Sequence, residues 1–415
     1  MEAISYLKEI QETLLSIRYG QDFPTLLEAE EEFCKGMGTR IRRERQRRVF
    51  HSIISSKSTL PGNESFKDIA LNSEEYKNII GIMMKSAEQA DSKIERALLE
   101  NQYTEYESPA FIRVINNARL IAMPTVQKLA EKAGQGLEKL DSTVFGTVHN
   151  TNFNASAIKV PDSDEHIILF NVGMPFFLAR IARILMRLQA LVPIEKYVKI
   201  NFQSNDWEQA YRDLVISVLE DCEYVYLTQM LIASVFEYYG IKSDFFYDHE
   251  IFDSGERIIA EMLAISAEVF VVGHEFGHII DGHLDELQNL RGVVPDKNIE
   301  MISRSHSQEY IADIVGNGVV TTVSASLEGP LQDYFLQGAQ FFFYCNFILE
   351  SFTKFLTPEI SFPDTHPSTV ERMRMALNFS LETAGDKVLG QARKIHIDTE
   401  CLLSAAFKVL NLLAT

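Results

Sequence analysis

Residues 267–284 read AEVFVVGHEFGHIIDGHL, and this stretch decides most of what the sequence predicts. His274 and His278 lie four residues apart in it, and on an α-helix that spacing places both imidazoles on one face. The apolar flanks VFVVG and II predict a long buried helix, in which unpaired imidazoles and a carboxylate would be costly. We therefore expect these side chains to act as a group, with a satisfied histidine pair as the simpler alternative.

The histidine spacing is typical of a metal site. Two imidazoles can hold Zn²⁺, but a catalytic zinc site also needs a third protein ligand and an open position for water. Glu275, directly after the first histidine, is the expected general base, because a carboxylate there can reach a water that the metal activates. The pattern therefore predicts one Zn²⁺ per chain, bound by His274 and His278.

Three positions are candidates for the third ligand, and His306 is the least favoured of them. His283 is nearest, but Gly282 and His283 follow the second histidine by four and five residues, whereas the metzincin pattern requires three and six. His283 is therefore expected at the helix end or behind a ligand. Glu309 is the better candidate, because Glu309 and Asp313 share one face of a second predicted helix in SHSQEYIADIVG. Asp313 would then accept a hydrogen bond from a ligand imidazole, and an ordinary exposed acidic pair is the alternative.

The remaining pattern predicts a mainly α, α+β protein. Residues 1–140 show helical spacing and are expected to form an N-terminal helical lobe, whereas residues 141–415 contain a small β-sheet and the HExxH helix. Between Ser142 and Asn171, β-branched and aromatic segments flank the turn-rich VPDSDE, which favours a β-hairpin or a small meander.

Composition limits the partners and the compartment. The formal charge of −19 argues against a nucleic-acid partner, and the arginines within 40–48 follow the acidic run 28–32 closely enough to predict a self-neutralising surface. Four cysteines without a CxxC pair indicate a reducing compartment. We find no signal peptide and no apolar run long enough to span a membrane, so a cytoplasmic location is expected.

Several motifs together resemble a known group. HEFGH followed by ExxAD is similar to the gluzincin zinc metallopeptidases, especially the CaaX prenyl endopeptidase and HtpX family. NASA at 154–157 with an apolar strand ending at Gly173, and His-Pro followed by Arg in THPSTVER, match further motifs of that family in order. Members of that family are commonly membrane embedded. The predicted lack of a span is more similar to the soluble phage-exclusion peptidase Lit or to the ImmA/IrrE proteases, although the latter do not explain THPSTVER.

The resemblance implies a zinc-dependent endopeptidase, of a regulatory or phage-defence type, that acts on a protein or peptide substrate. Its site would comprise the metal ligands His274, His278 and Glu309, the base Glu275, and Asp313 behind the ligands. The remaining roles would be an oxyanion donor at His366 or Tyr310, a carboxylate partner or substrate contact at Arg372, and a substrate contact at Asn154 beside an edge strand.

Other readings stay open at this point. A catalytically silent, zinc-containing regulatory or protein-binding module would also need the ligands, but it would not need Glu275 as a base. A DNA-binding regulator with a protease domain would require the arginine run to face outward as one patch. Homo-oligomer formation is possible under each reading.

Overall fold

A computed structural model describes most of the chain beyond residue 108. The described residues are 2–19, 109–134, 137–148, 153–197, 199–200, 206–221, 225–239, 254–284, 289–291, 300–302, 306–327, 329–357 and 367–414. The acidic run, the arginine run, Cys34 and Cys222 lie outside them. The predictions made for those segments therefore stay predictions.

The described residues form thirteen helices and five strands. The helices are α1 (Glu2–Tyr19), α2 (Pro109–Ala133), α3 (Leu137–Asp141), α4 (Gly173–Leu191), α5 (Ile194–Tyr197), α6 (Trp207–Leu219), α7 (Val225–Tyr238), α8 (Ser254–Ile280), α9 (His306–Ser324), α10 (Gly329–Phe335), α11 (Gly338–Leu356), α12 (Thr369–Ala384) and α13 (Asp386–Ala414). The strands are β1 (Thr143–Val148), β2 (Ala155–Lys159), β3 (His166–Asn171), β4 (Asn289–Arg291) and β5 (Glu300–Ile302). This mainly helical α+β architecture confirms the predicted fold class.

The larger sheet is mixed and has the order β1-β3-β2. β2 and β3 are antiparallel, with Ala157 opposite Ile168, so the hairpin prediction is confirmed for this pair. β1 pairs with the other side of β3 in parallel, with Thr143 opposite His166, which a meander would not produce. β3 is therefore the central strand, and β2 lies at an edge. A separate antiparallel pair joins β4 to β5.

Both faces of this sheet are buried, and side chains alternate between two clusters because successive strand residues point to opposite faces. One face packs on α1, whose buried residues follow helical spacing; this cluster contains Ala3, Leu7, Ile10, Val148, Ile158, Val160, Ile167 and Leu169. The other face joins the main core through Phe145, Ala155, Ala157, Ile168 and Phe170. The sheet therefore lies between α1 and the helical body.

Helix α8 lies at the centre of the main core, and its predicted burial is confirmed. Its residues from Ile259 to Ile280 contribute to that core together with residues of α2, α4 and α11. Because α2 shares this core, the described helices on either side of residue 141 pack together. The predicted division into a lobe and a catalytic region is not tested by this packing and stays a prediction.

Helices α8 and α9 approach each other unusually closely. A Cβ atom added at Gly277 would lie 2.8 Å from the Cα atom of Ala312, and one added at Gly316 would lie 2.8 Å from the carbonyl oxygen of Phe270. Real Cβ atoms do not come so near to backbone atoms. The missing side chains therefore allow the backbones of α8 and α9 to come into direct contact.

A buried polar network joins four helices away from this contact. Asp398 of α13 is fully buried and accepts hydrogen bonds from Gln189 Nε2 of α4 at 2.7 Å and from Tyr211 Oη of α6 at 3.1 Å. The Tyr334 hydroxyl of α10 donates to Gln189 Oε1 at 3.1 Å. Burial raises the pKa of Asp398 to about 7, although these donors and the nearby Lys394 oppose the rise.

Among the described helices, none combines the length and the hydrophobicity that a bilayer crossing requires. Cys345 and Cys401 are buried free thiols, and burial raises the pKa of both. Neither thiol therefore has the exposed, ionised character of a reactive cysteine.

The Gly277→Ala variant should be destabilised by about 1 to 3 kcal/mol, because its methyl group can be accommodated only if α9 moves away from α8. Gly318→Ala is the matched control on α9, since its Cβ would meet only Leu129 Cδ1 at 3.9 Å. The control should keep or slightly raise the thermal midpoint, because alanine favours the helix. Equal thermal midpoints for the two variants would show that stability does not depend on the close approach of α8 and α9.

The Asp398→Asn variant should change how stability depends on pH. A raised pKa means that the folded chain holds the Asp398 proton more tightly than the unfolded chain does. The stability that this proton contributes is therefore complete below about pH 4 and is lost as the pH rises through about 7. The wild type should lose on the order of 4 kcal/mol of unfolding free energy over this range, and the variant should not. Thermal midpoints of both proteins between pH 4 and 8 would measure the difference, and parallel curves would contradict the assignment.

Candidate metal centre

Three buried side chains from two helices converge at the α8–α9 contact. His274 Nε2 lies 3.1 Å from His278 Nε2, and these atoms lie 3.5 Å and 3.7 Å from the two carboxylate oxygens of Glu309 on α9. All three residues are at most 6% exposed. This group could hold a metal ion. Among the predicted ligands, the structure therefore brings His274, His278 and Glu309 together.

Asp313 lies directly behind His274. Its Oδ1 is 2.9 Å from His274 Nδ1, and Arg372 of α12 donates to both carboxylate oxygens from Nε at 2.8 Å and from a terminal nitrogen at 2.7 Å. Burial by itself would raise the pKa of Asp313, but the Arg372 guanidinium and its hydrogen bonds hold that pKa below its usual value. Asp313 is therefore an ionised carboxylate that lies within hydrogen-bond distance of His274 Nδ1.

Arg372 also reaches the ligand group itself. Its terminal nitrogen lies 3.3 Å from Glu309 Oε2, and its guanidinium lies over the Phe343 ring at 4.9 Å from the centroid. The side chain is 12% exposed, so this ion pair is buried. Of the two predicted roles for Arg372, the structure shows pairing with carboxylates. Arg372 thereby forms ion pairs with both acidic residues of α9, Glu309 and Asp313.

His278 has a different neighbour. His278 Nδ1 lies 2.9 Å from Nδ1 of His283, whose Nε2 lies 2.5 Å from Asp281 Oδ2. His283 therefore contacts His278 from the end of α8, and it is not part of the group of three.

These outer contacts favour one placement of the ring protons. The Asp313 carboxylate 2.9 Å from His274 Nδ1 favours a proton on that nitrogen, and a neutral His283 that donates to Asp281 from Nε2 has only a lone pair at Nδ1 to offer His278. Both ligand imidazoles then present a lone pair at Nε2. Two lone pairs and a carboxylate facing one another repel unless a cation lies among them, so this donor set fits a metal ion.

The spacing of the donor atoms also fits a metal. Ligand atoms about 2.0 to 2.1 Å from a tetrahedral zinc ion are about 3.3 Å apart. The three separations here are 3.1, 3.5 and 3.7 Å. Little movement of the side chains would be needed for them to share one ion.

Glu275 lies beside the group of three but outside it. It is 1% exposed, and its Oε2 accepts a hydrogen bond at 2.6 Å from the backbone N–H of Ala157 in edge strand β2. The outward edge of β2 therefore meets α8 at the metal centre. A carboxylate that is adjacent to two ligands and is not itself a ligand suits a proton-transfer role.

Two other predicted site residues are described by the structure. Tyr310 is half-buried on α9, and burial together with the nearby carboxylates of Glu371 and Asp313 raises the pKa of its hydroxyl, although Arg372 opposes the rise. Asn154 is exposed at the start of β2, where its carbonyl accepts from Asn171. His366 lies outside the described residues, so its predicted role is not tested.

Sequence reasoning missed the two features that hold the centre together. The close-contact residues Gly277 and Gly316 could have been noticed, since each interrupts a helical segment that is otherwise suited to larger side chains. The Ala157 N–H has no such signal, because every residue except proline carries that donor.

No family model, curated protein or solved structure matches this chain.

The Arg372→Met variant should lose about 3 to 5 kcal/mol of stability in the metal-free protein, because it leaves two buried carboxylates without their cation. Arg212→Met is the matched control, since its ion pair with Glu400 is about one-third exposed and should contribute at most about 1 kcal/mol. Thermal or urea unfolding in the presence of a chelator would compare the two variants. Similar losses of unfolding free energy in both variants would contradict a special stabilising role of Arg372.

Proposed function

We propose that this protein is a zinc-dependent endopeptidase that hydrolyses peptide bonds of a protein substrate. The observation that carries the proposal is the position of Glu275, a buried carboxylate next to two histidines and a glutamate that can share a metal ion. HEFGH on α8 and ExxAD on α9 also keep the order seen in gluzincin peptidases. That resemblance supports the proposal.

The ligand types favour zinc. Mg²⁺ and Ca²⁺ prefer oxygen ligands, whereas two imidazoles with one carboxylate are a usual set for a catalytic zinc ion. His274, His278 and Glu309 would hold one ion per chain. When bound, zinc supplies Lewis acidity that activates water at neutral pH.

Each remaining residue would then have a definite task. Oε1 of Glu275 would take a proton from the attacking water and pass it to the leaving amine, while Oε2 stays bound to the Ala157 N–H. The Tyr310 hydroxyl, which is protonated at neutral pH, would donate to the developing oxyanion. Asp313 and Arg372 would keep His274 in the correct tautomer.

Strand β2 would contact the substrate. It is an edge strand that meets the metal centre where Glu275 accepts from the Ala157 N–H, so a peptide that pairs with β2 would use edge groups other than that N–H. Asn154, exposed at the start of the same strand, would contact the peptide at one end of this pairing.

A catalytically silent metal-containing module is the second candidate, and one observation favours it. The hydrogen bond from Ala157 to Glu275 at 2.6 Å gives this carboxylate a structural use that requires no hydrolysis. The two candidates therefore differ in whether Glu275 does more than hold β2 against α8.

The test compares metal content and hydrolysis in four forms of the full chain. Metal per chain is measured by elemental mass spectrometry after dialysis, and hydrolysis is measured on unfolded casein, with new amino termini as the product. The variants are Glu275→Gln, Glu309→Ala and the control Glu268→Gln, which changes another buried glutamate of α8 two turns earlier. Wild type and control should bind about one zinc and cleave casein, and Glu309→Ala should lose both properties.

The Glu275→Gln variant separates the two candidates. It should keep its zinc and lose hydrolysis by a factor of about 10² or more if Glu275 is the base. Zinc binding by the wild type and by Glu275→Gln, with no hydrolysis by any form, would favour the silent module. A wild-type protein that takes up no zinc even when it is supplied would end both proposals.

A further inference from the structure

The turn that ends α8 holds a buried histidine that the roles above do not use. Gly282 has a φ of 71°, in the left-handed region that favours glycine after a helix end. The next N–H, of His283, donates to the carbonyl of His278 at 3.1 Å, so the chain folds back along the last helical turn. The His283 ring therefore lies next to the His278 ring, with 5.1 Å between the ring centroids, and His283 is 4% exposed.

Two short contacts extend from His278 through this turn. The Nδ1 atoms of His278 and His283 are 2.9 Å apart, and His283 Nε2 is 2.5 Å from Asp281 Oδ2. The Asp281 side chain is 47% exposed. The three side chains therefore form one continuous line from solvent to the buried ligand atom His278 Nε2.

We propose that Asp281 and His283 are a positioning relay that prepares His278 for metal binding, an inference that rests on the metal centre proposed above. The Asp281 carboxylate accepts the proton on His283 Nε2, which leaves a lone pair on His283 Nδ1. That lone pair accepts the His278 Nδ1–H and turns His278 Nε2, with its own lone pair, toward the metal.

The relay makes the two ligand histidines unequal. His274 is backed by an aspartate that is itself paired with the buried guanidinium of Arg372. His278 is backed by the imidazole of His283, which in turn contacts the half-exposed carboxylate of Asp281. The two supports share no residue, so one can be removed while the other stays in place.

A purely structural role for His283 makes a different prediction. A buried ring that fills space needs no particular nitrogen atom, and phenylalanine of similar size would replace it. A positioning role requires an acceptor at the place of Nδ1, which the amide oxygen of glutamine can supply in part. The comparison of His283→Phe with His283→Gln therefore separates packing from positioning.

The experiment uses the full chain with His283→Phe, His283→Gln and Asp281→Asn, and with His396→Phe as a control at a histidine that is 42% exposed on α13. Zinc affinity is measured by competition with a chromophoric chelator, and ligand geometry by the visible absorption of the cobalt(II)-loaded protein. His283→Phe should bind zinc 10- to 100-fold more weakly and shift the cobalt spectrum. His283→Gln should recover most of the affinity, Asp281→Asn should lose less than His283→Phe, and the control should match wild type.

Wild-type affinity and an unchanged cobalt spectrum in His283→Phe would overturn the relay while the metal centre stands. Equal weakening in His283→Phe and His283→Gln would also overturn it in favour of packing. If His283→Phe does not fold, Asp281→Asn decides, because its carboxamide keeps the size of the exposed side chain and removes only the charge. A wild-type protein that binds neither zinc nor cobalt would overturn the metal centre, and the relay with it.

Discussion

The direct contact between α8 and α9 is the constraint on which the rest of the centre depends. His274 and His278 belong to one helix and Glu309 to the other, so the distance between the backbones sets the distance between the ligand atoms. Without side chains at Gly277 and Gly316, the helices can approach until Glu309 lies within 3.7 Å of both imidazoles. A longer side chain in place of glutamate could not substitute for this approach, because Asp313 and Arg372 depend on the same spacing.

The charge distribution of the centre follows from this geometry. Glu309 and Asp313 share the guanidinium of Arg372, and Glu275 is a third buried carboxyl group beside the ligands. Buried charge of one sign is costly unless it is paired. A divalent cation between the ligands would balance the excess of acidic groups and would explain why so polar a cluster is kept within an apolar core.

The sequence predicted the local features of the centre more completely than its long-range ones. The four-residue spacings of His274 and His278, and of Glu309 and Asp313, indicate shared helix faces because helical periodicity is a local property. The fold class and the β2–β3 hairpin could be predicted for the same reason. Parallel pairing of β1 with β3 could not, because it joins segments separated by another strand.

The residues that contact the outer nitrogens of His274 and His278 could be predicted only in part. Asp313 was expected behind a ligand, but which imidazole it would face depends on how α9 is set against α8. His283 was expected near a helix end, yet only the turn at Gly282 shows that its ring meets His278.

Because the ligands come from separate helices, a bound metal would also act as a reversible cross-link. The 30 residues between His278 and Glu309 would form a closed loop, and they include the end of α8, the β4–β5 pair and the first turn of α9. Closing a loop of this length removes chain entropy from the unfolded ensemble, by about 3 kcal/mol in simple polymer terms. Whatever chemistry the centre performs, metal binding would therefore depend on the folding of the segment between the two helices and would also stabilise it.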